Sequence, residues 1–156
     1  MRLWRVSGTP WERHGQATRW FNARTPAIAV FHDSPVAAVC ARLVHQRRHT
    51  PEALNPEECL YSISVNQRQV QVARVSRHWY DNLKETRSLV AAWRLQTVCP
   101  VLKVPTRDGH YQYLVNLRLP LLSEIPVRTD ETHPFRCSAR KTREFLREGS
   151  DWLVLP

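Results

Sequence analysis

The sequence predicts an α+β fold: a compact mixed β-sheet core with about three helices packed against it. Three observations predict it. Short apolar runs recur that either alternate or are wholly apolar, as strands do. One segment carries a clear 3.6-residue apolar period between a capping serine and a basic end, and two weaker ones follow. The length of 156 residues, with 42% hydrophobic and 24% charged residues, is one domain's worth of ordinary globular composition.

In chain order, residues 2–7 alternate in character and read as a short strand. Residues 8–25 are irregular, broken by Gly8, Pro10 and Gly15. Pro26 to Phe31 is a short apolar run suited to a buried strand. Ser34 then serves as an N-cap and Pro35 fits the first helical turn. Val36, Val39, Cys40, Leu43 and Val44 share one face of a helix ending near His45. Residues 59–65 and 69–75 read as two strands joined by a tight turn at Asn66-Gln67-Arg68. Asp81 is the expected cap of a helix over about 82–96, with Leu89, Val90 and Trp93 inward. Strands over 101–104 and 113–119 flank the Asp108-Gly109 turn signal. Ser138 caps a last helix through Glu148, with Gly149 at its C-terminal end. The expected organisation is an α+β domain over residues 1–124, with a basic helix and tail over 125–156 packed on it.

The charge is lopsided. Lys and Arg number 23 against 14 Asp and Glu, a net +9, and 20 of the 23 are Arg. Arg presents a planar fork to phosphates and carboxylates and keeps its charge when buried. Such a balance suits a nucleic acid or an acidic protein partner. Arg47 and Arg48 follow the first helix, and Arg140, Lys141, Arg143 and Arg147 crowd the last one. Arg140, Arg143 and Arg147 fall on one helical face, which would hold phosphates without reading bases. The equally simple reading is a solvated amphipathic helix turning Phe145 and Leu146 inward.

Several function classes drop out. Neither GxGxxG nor GxxxxGK[ST] occurs, so the common nucleotide loops are absent. The cysteines Cys40, Cys59, Cys99 and Cys137 form no CxxC pair, and scattered thiols point to a reducing compartment. His45 and His49 lie four apart but have no third ligand nearby, so no metal is expected. No run is long enough to span a membrane, and the N-terminus has no signal-peptide core. The expected location is the cytoplasm.

An ordered set of residues then lines up: Leu3-Trp4-Arg5-Val6, Arg19-Trp20, Pro26 opening an apolar strand, and Ser34 capping a helix that ends Leu43-Val44-His45. This order resembles the RES domain family, bacterial toxins of toxin–antitoxin pairs that degrade NAD+ on an ADP-ribosyltransferase-like fold. The likeness covers residues 1–50 and, more weakly, 95–120. It implies NAD+ as substrate, not as a resident cofactor, and a helical antitoxin as partner. It implies Arg5 and Thr106 as catalytic groups, and Arg5, Arg19, Trp20 and Phe31 as the nucleotide-binding set.

The chemistry is glycosidic. Breaking the nicotinamide–ribose bond builds positive charge on the ribose, which a carboxylate stabilises. The resemblance places that carboxylate at position 41, where this chain has Ala41, and a tyrosine near Phe31, which lacks the hydroxyl. Asp33, Glu57, Glu58, Asp81 and Glu85 are the acids that could substitute. The expectation is therefore a divergent RES-like domain whose NAD+-cleaving site is dismantled and which acts as a basic binding module. An active NAD+-consuming phosphorylase or glycohydrolase, and an unrelated small nucleic-acid-binding protein, are the alternatives. Each residue also has a plain structural reading: Arg5 an ion-paired strand residue, Trp20 and Phe31 core, Thr106 a strand hydroxyl, and His78-Trp79-Tyr80-Asp81 a helix entry.

Overall fold

The computed structural model describes residues 1–23, 27–48, 53–96, 98–107 and 109–132, with the side chains of Glu131 and Thr132 left undescribed. The expected C-terminal helix, and with it Arg140, Lys141, Arg143 and Arg147, lies outside the described residues.

Among the described residues seven strands and two α-helices make an α+β architecture. The strands are β1 (Arg2–Ser7), β2 (Ile28–His32), β3 (Cys59–Ser64), β4 (Val70–Val72), β5 (Val101–Pro105), β6 (Tyr111–Asn116) and β7 (Val127–Thr132). The helices are α1 (Pro35–Gln46) and α2 (Leu83–Leu95). Strand order in the sheet is β4-β5-β6-β2-β1-β3-β7. The β4–β5 pair is parallel, whereas β5–β6, β2–β1, β1–β3 and β3–β7 are antiparallel. Among the described residues no helix is long and apolar enough to cross a membrane.

Two compact units are built from interleaved stretches of chain. Of the described residues, the first holds Met1 and those within 13–30 and 65–125, and the second those within 2–12, 31–64 and 126–132. The first unit closes over Trp20, Phe21, Ile28, Val90, Trp93, Leu102, Val104 and Leu114. Trp93 is enclosed, and its indole N–H donates to the Cys99 carbonyl at 2.9 Å, so the largest core residue keeps its polar group satisfied. The second unit closes over Val6, Ala38, Val39, Leu43, Leu54 and Leu60, with Trp4 against them.

The helices follow from their ends as much as from their period. The Ser34 hydroxyl accepts the Ala37 N–H at 3.1 Å, and Pro35 opens α1. At the other end Arg47 sits in the left-handed region, φ 53°, and Arg47 and Arg48 donate to Val44 and Leu43 in a Schellman closure. In α2 the cap is Asn82 rather than the expected Asp81: its Oδ1 accepts the Glu85 N–H at 3.0 Å. Asp81 instead closes a 3₁₀ turn, Trp79–Asp81.

Two other expectations are corrected. The strands at 59–65 and 69–75 do not form a hairpin. Asn66 and Gln69 form a reciprocal capping box on a 3₁₀ turn, and β4 is short and pairs with β5. The strand β7 arises where only a basic tail was expected, and β3–β7 pairing from Ile63 and Val127 to Cys59 and Thr132 holds it. A turn at Gly109 joins β5 to β6, while Asp108 of the expected turn signal lies outside the described residues. Gly109 has φ +84°, and Thr106 and His110 close the turn by a backbone bond of 2.9 Å.

Candidate functional site

In the second unit β1, β2 and α1 gather a buried charged group around Arg5. Trp4 faces His32 in the β1–β2 register, which brings Arg5 alongside Phe31. The guanidinium lies 5.3 Å from the Phe31 ring centroid, and Trp11 packs on the same ring at 6.0 Å. Phe31 is wholly enclosed, so both its neighbours and its burial make it part of the packing. Arg5 is 6% exposed and donates through Nη1 to the carbonyls of Glu12, at 2.6 Å, and Pro10, at 3.4 Å. Its Nε is buried without a partner. Burial lowers the guanidinium to about 10, with Glu12 opposing the shift and Arg42 adding to it.

The expected acid position, Ala41, brings no carboxylate, but a neighbour does. Glu58, just before β3, turns its carboxylate onto α1. Its Oε1 accepts Arg42 Nε at 2.7 Å and Gln46 Nε2 at 2.9 Å, and pairs as well with Arg42 Nη2. Glu58 is 3% exposed and its Oε2 is buried with no hydrogen bond. Burial lowers the His45 imidazole below its usual value, aided by Arg42 and opposed by Glu58 and Glu12. Sequence reasoning named Glu58 as one acid among five. It missed Arg42 and Gln46, because the contact joins a loop residue to a helix across 12 and 16 positions, and it missed Glu12, whose carbonyl meets Arg5 from the loop after β1.

The first unit holds the remaining expected residues. Trp20 is 3% exposed and stacks on Trp79, with centroids 5.1 Å apart and planes 20° from parallel. Trp79 meets Tyr80 edge-on at 5.5 Å. Tyr80 carries two guanidiniums, Arg19 at 4.0 Å and Arg107 at 4.8 Å from its ring centroid. Among the described residues neither arginine forms an ion pair. The Arg19 carbonyl accepts the Thr86 hydroxyl at 3.0 Å, which anchors the loop to α2. Thr106 precedes Arg107 at the end of β5, and its hydroxyl oxygen is buried without a partner.

The structure thus brings Arg5 together with Phe31 in one unit, and Arg19 and Trp20 together through Tyr80 and Trp79 in the other. Arg47 and Arg48 are exposed at the end of α1. Tyr80 and Arg107 were not read as site residues. The signal was present in the run His78-Trp79-Tyr80-Asp81, which could face a ligand but as a bare sequence fits a helix entry better. Among the described residues no three His, Cys, Asp or Glu side chains come together as a metal site. No family model matches the chain, and no curated protein matches it.

Proposed function

We propose that this chain is a divergent RES-like domain that does not cleave NAD+ and acts as a basic, cytoplasmic binding module for single-stranded nucleic acid. One observation carries the reading: Arg19 and Arg107 share the Tyr80 ring with no carboxylate partner among the described residues. Two like charges held together by an aromatic ring are stabilised by an anion. Interleaved aromatic and cationic groups suit a backbone phosphate beside a stacked base. The loss of NAD+ chemistry is supported by Ala41, by the enclosure of Phe31, and by Arg5 being spent on the loop carbonyls of Pro10 and Glu12. The free thiols of Cys40, Cys59 and Cys99 support a reducing compartment.

The test is fluorescence anisotropy with a labelled single-stranded oligonucleotide lacking terminal phosphates. The expected result is salt-sensitive binding that Arg19→Gln and Arg107→Gln each weaken, with a shallower salt slope. Binding that both variants leave intact would overturn the assignment of this cluster. Binding to an acidic peptide in preference to the oligonucleotide would replace the partner class.

One observation favours the enzymatic reading instead. The Oε2 of Glu58 is a buried, unpartnered carboxylate oxygen beside the helix where the resemblance expects an acid. NAD+ consumption by the native protein, with or without phosphate, that disappears in Glu58→Gln would establish it.

A further inference from the structure

A second cationic feature lies on α2, apart from Arg19 and Arg107. Arg87 and Arg94 are seven residues apart, so they project from one helix face about 10 Å apart along the axis. Ala91 falls between them on that face, and its single methyl leaves the gap open. The result is a groove of about 260 Å³, floored by Trp20, Phe21 and Val90 and flanked by Asn22 and Ser88. Among the described residues no carboxylate lines it.

The donors in this groove are in an unusual position. The Nε atoms of both Arg87 and Arg94 are buried, and neither has a hydrogen-bond partner. Among the described residues neither arginine forms an ion pair. Buried polar groups are ordinarily satisfied, so two groove-lining arginines that each keep an unused donor have binding capacity that no described residue takes up. Burial lowers the Arg94 guanidinium below its usual value, and the positive charge of Arg118 adds to the shift. An anion would relieve both effects.

We propose that the groove formed by Arg87, Ser88, Ala91 and Arg94 of α2 against Trp20, Phe21 and Asn22 binds a small phosphomonoester. The two arginines would take the phosphoryl oxygens by charge-assisted hydrogen bonds. Ser88 and Asn22 supply neutral donors, and the aromatic floor takes an apolar or ring portion. The volume suits a mononucleotide or sugar phosphate and is small for a dinucleotide. This site is independent of the oligonucleotide reading: it needs a terminal phosphate and does not use Tyr80.

The experiment is calorimetric titration of the full chain with AMP and, separately, with inorganic phosphate. The expected result is saturable 1:1 AMP binding with a Kd of about 1 mM or tighter, and AMP at least as tight as phosphate. Arg87→Gln and Arg94→Gln each weaken it about tenfold, the loss of one charge-assisted contact. Ala91→Leu, which fills the gap and leaves every charge in place, abolishes AMP binding. Thermal midpoints without ligand confirm that the variants fold. No saturation at about 10 mM AMP would overturn the proposal. So would unchanged affinity in both Gln variants, or phosphate binding with AMP excluded. The oligonucleotide lacking terminal phosphates binds Arg87→Gln as it binds the native chain, so failure here and failure at Tyr80 are read separately.

Discussion

Replacing Arg42 by Met is the sharpest test of how the second unit is held together. The Glu58 carboxylate is 3% exposed and its partner Arg42 is 20% exposed. Its Oε1 takes both Arg42 donors and the Gln46 amide, while Oε2 has none. Arg42→Met leaves a buried charge with one neutral donor, which costs about 3–5 kcal/mol. Glu58→Gln removes the charge instead, keeps the shape, and leaves Arg42 able to reach water. Its cost is about 1–2 kcal/mol. The double variant Arg42→Met with Glu58→Gln is expected to be more stable than Arg42→Met alone, because no unpaired charge remains. Urea unfolding reads all three. With a slope of about 2 kcal/mol per molar, Arg42→Met lowers the midpoint by about 1.5–2.5 M, and Glu58→Gln by less than about 1 M. An Arg42→Met cost no greater than that of Glu58→Gln, or a double variant as unstable as the sum of the singles, would refute the reasoning.

Three further outcomes are expected. Asn82→Ala costs about 1 kcal/mol in thermal or urea unfolding, whereas Asp81→Ala is close to neutral, because Asn82 makes the cap bond to Glu85. His45 has a folded-state value below that of the unfolded chain, so its neutral form is favoured on folding. Its contribution is fully present above about pH 6.5 and is lost as pH falls below that. The native protein therefore loses stability relative to His45→Gln between pH 7 and 5, and parallel profiles would refute this. Burial raises the Cys40 thiol. Alkylation mapped by mass spectrometry then modifies Cys59 and Cys99 before Cys40, whose labelling waits for unfolding.

The sequence was most legible where a local signal and a buried face coincide. For α1, Ser34, Pro35 and the apolar period agree with one another, and all act within a single helix. Its end was less so: Arg47 adopts a left-handed conformation that glycine usually takes, and no residue type announces it. The strand β7 was invisible because Val-Arg-Thr-Asp-Glu-Thr has no apolar alternation, and its pairing with β3 alone defines it. The expected hairpin after β3 failed because Asn66 and Gln69 satisfy each other locally and turn the chain elsewhere. For the site, the placement of Arg5 on a strand and of Phe31 on another was readable, but their pairing was not. Glu58 reaching α1, and two arginines meeting on Tyr80, were not, because each depends on a tertiary meeting of distant segments.

The interleaving of the two units bears on how the chain comes together in time. When synthesis has passed residue 125, every stretch of the first unit has been delivered. The second unit by then has β1, α1 and β3, but the outer edge of β3 is open. That edge has unpaired backbone donors and acceptors until β7 arrives, more than sixty residues after β3. Closure of this edge is thus the latest long-range step in the described fold, and the one most exposed to pairing with another nascent chain. No contiguous fragment contains either unit whole and excludes the other, so dissecting this protein is a matter of point substitution rather than truncation.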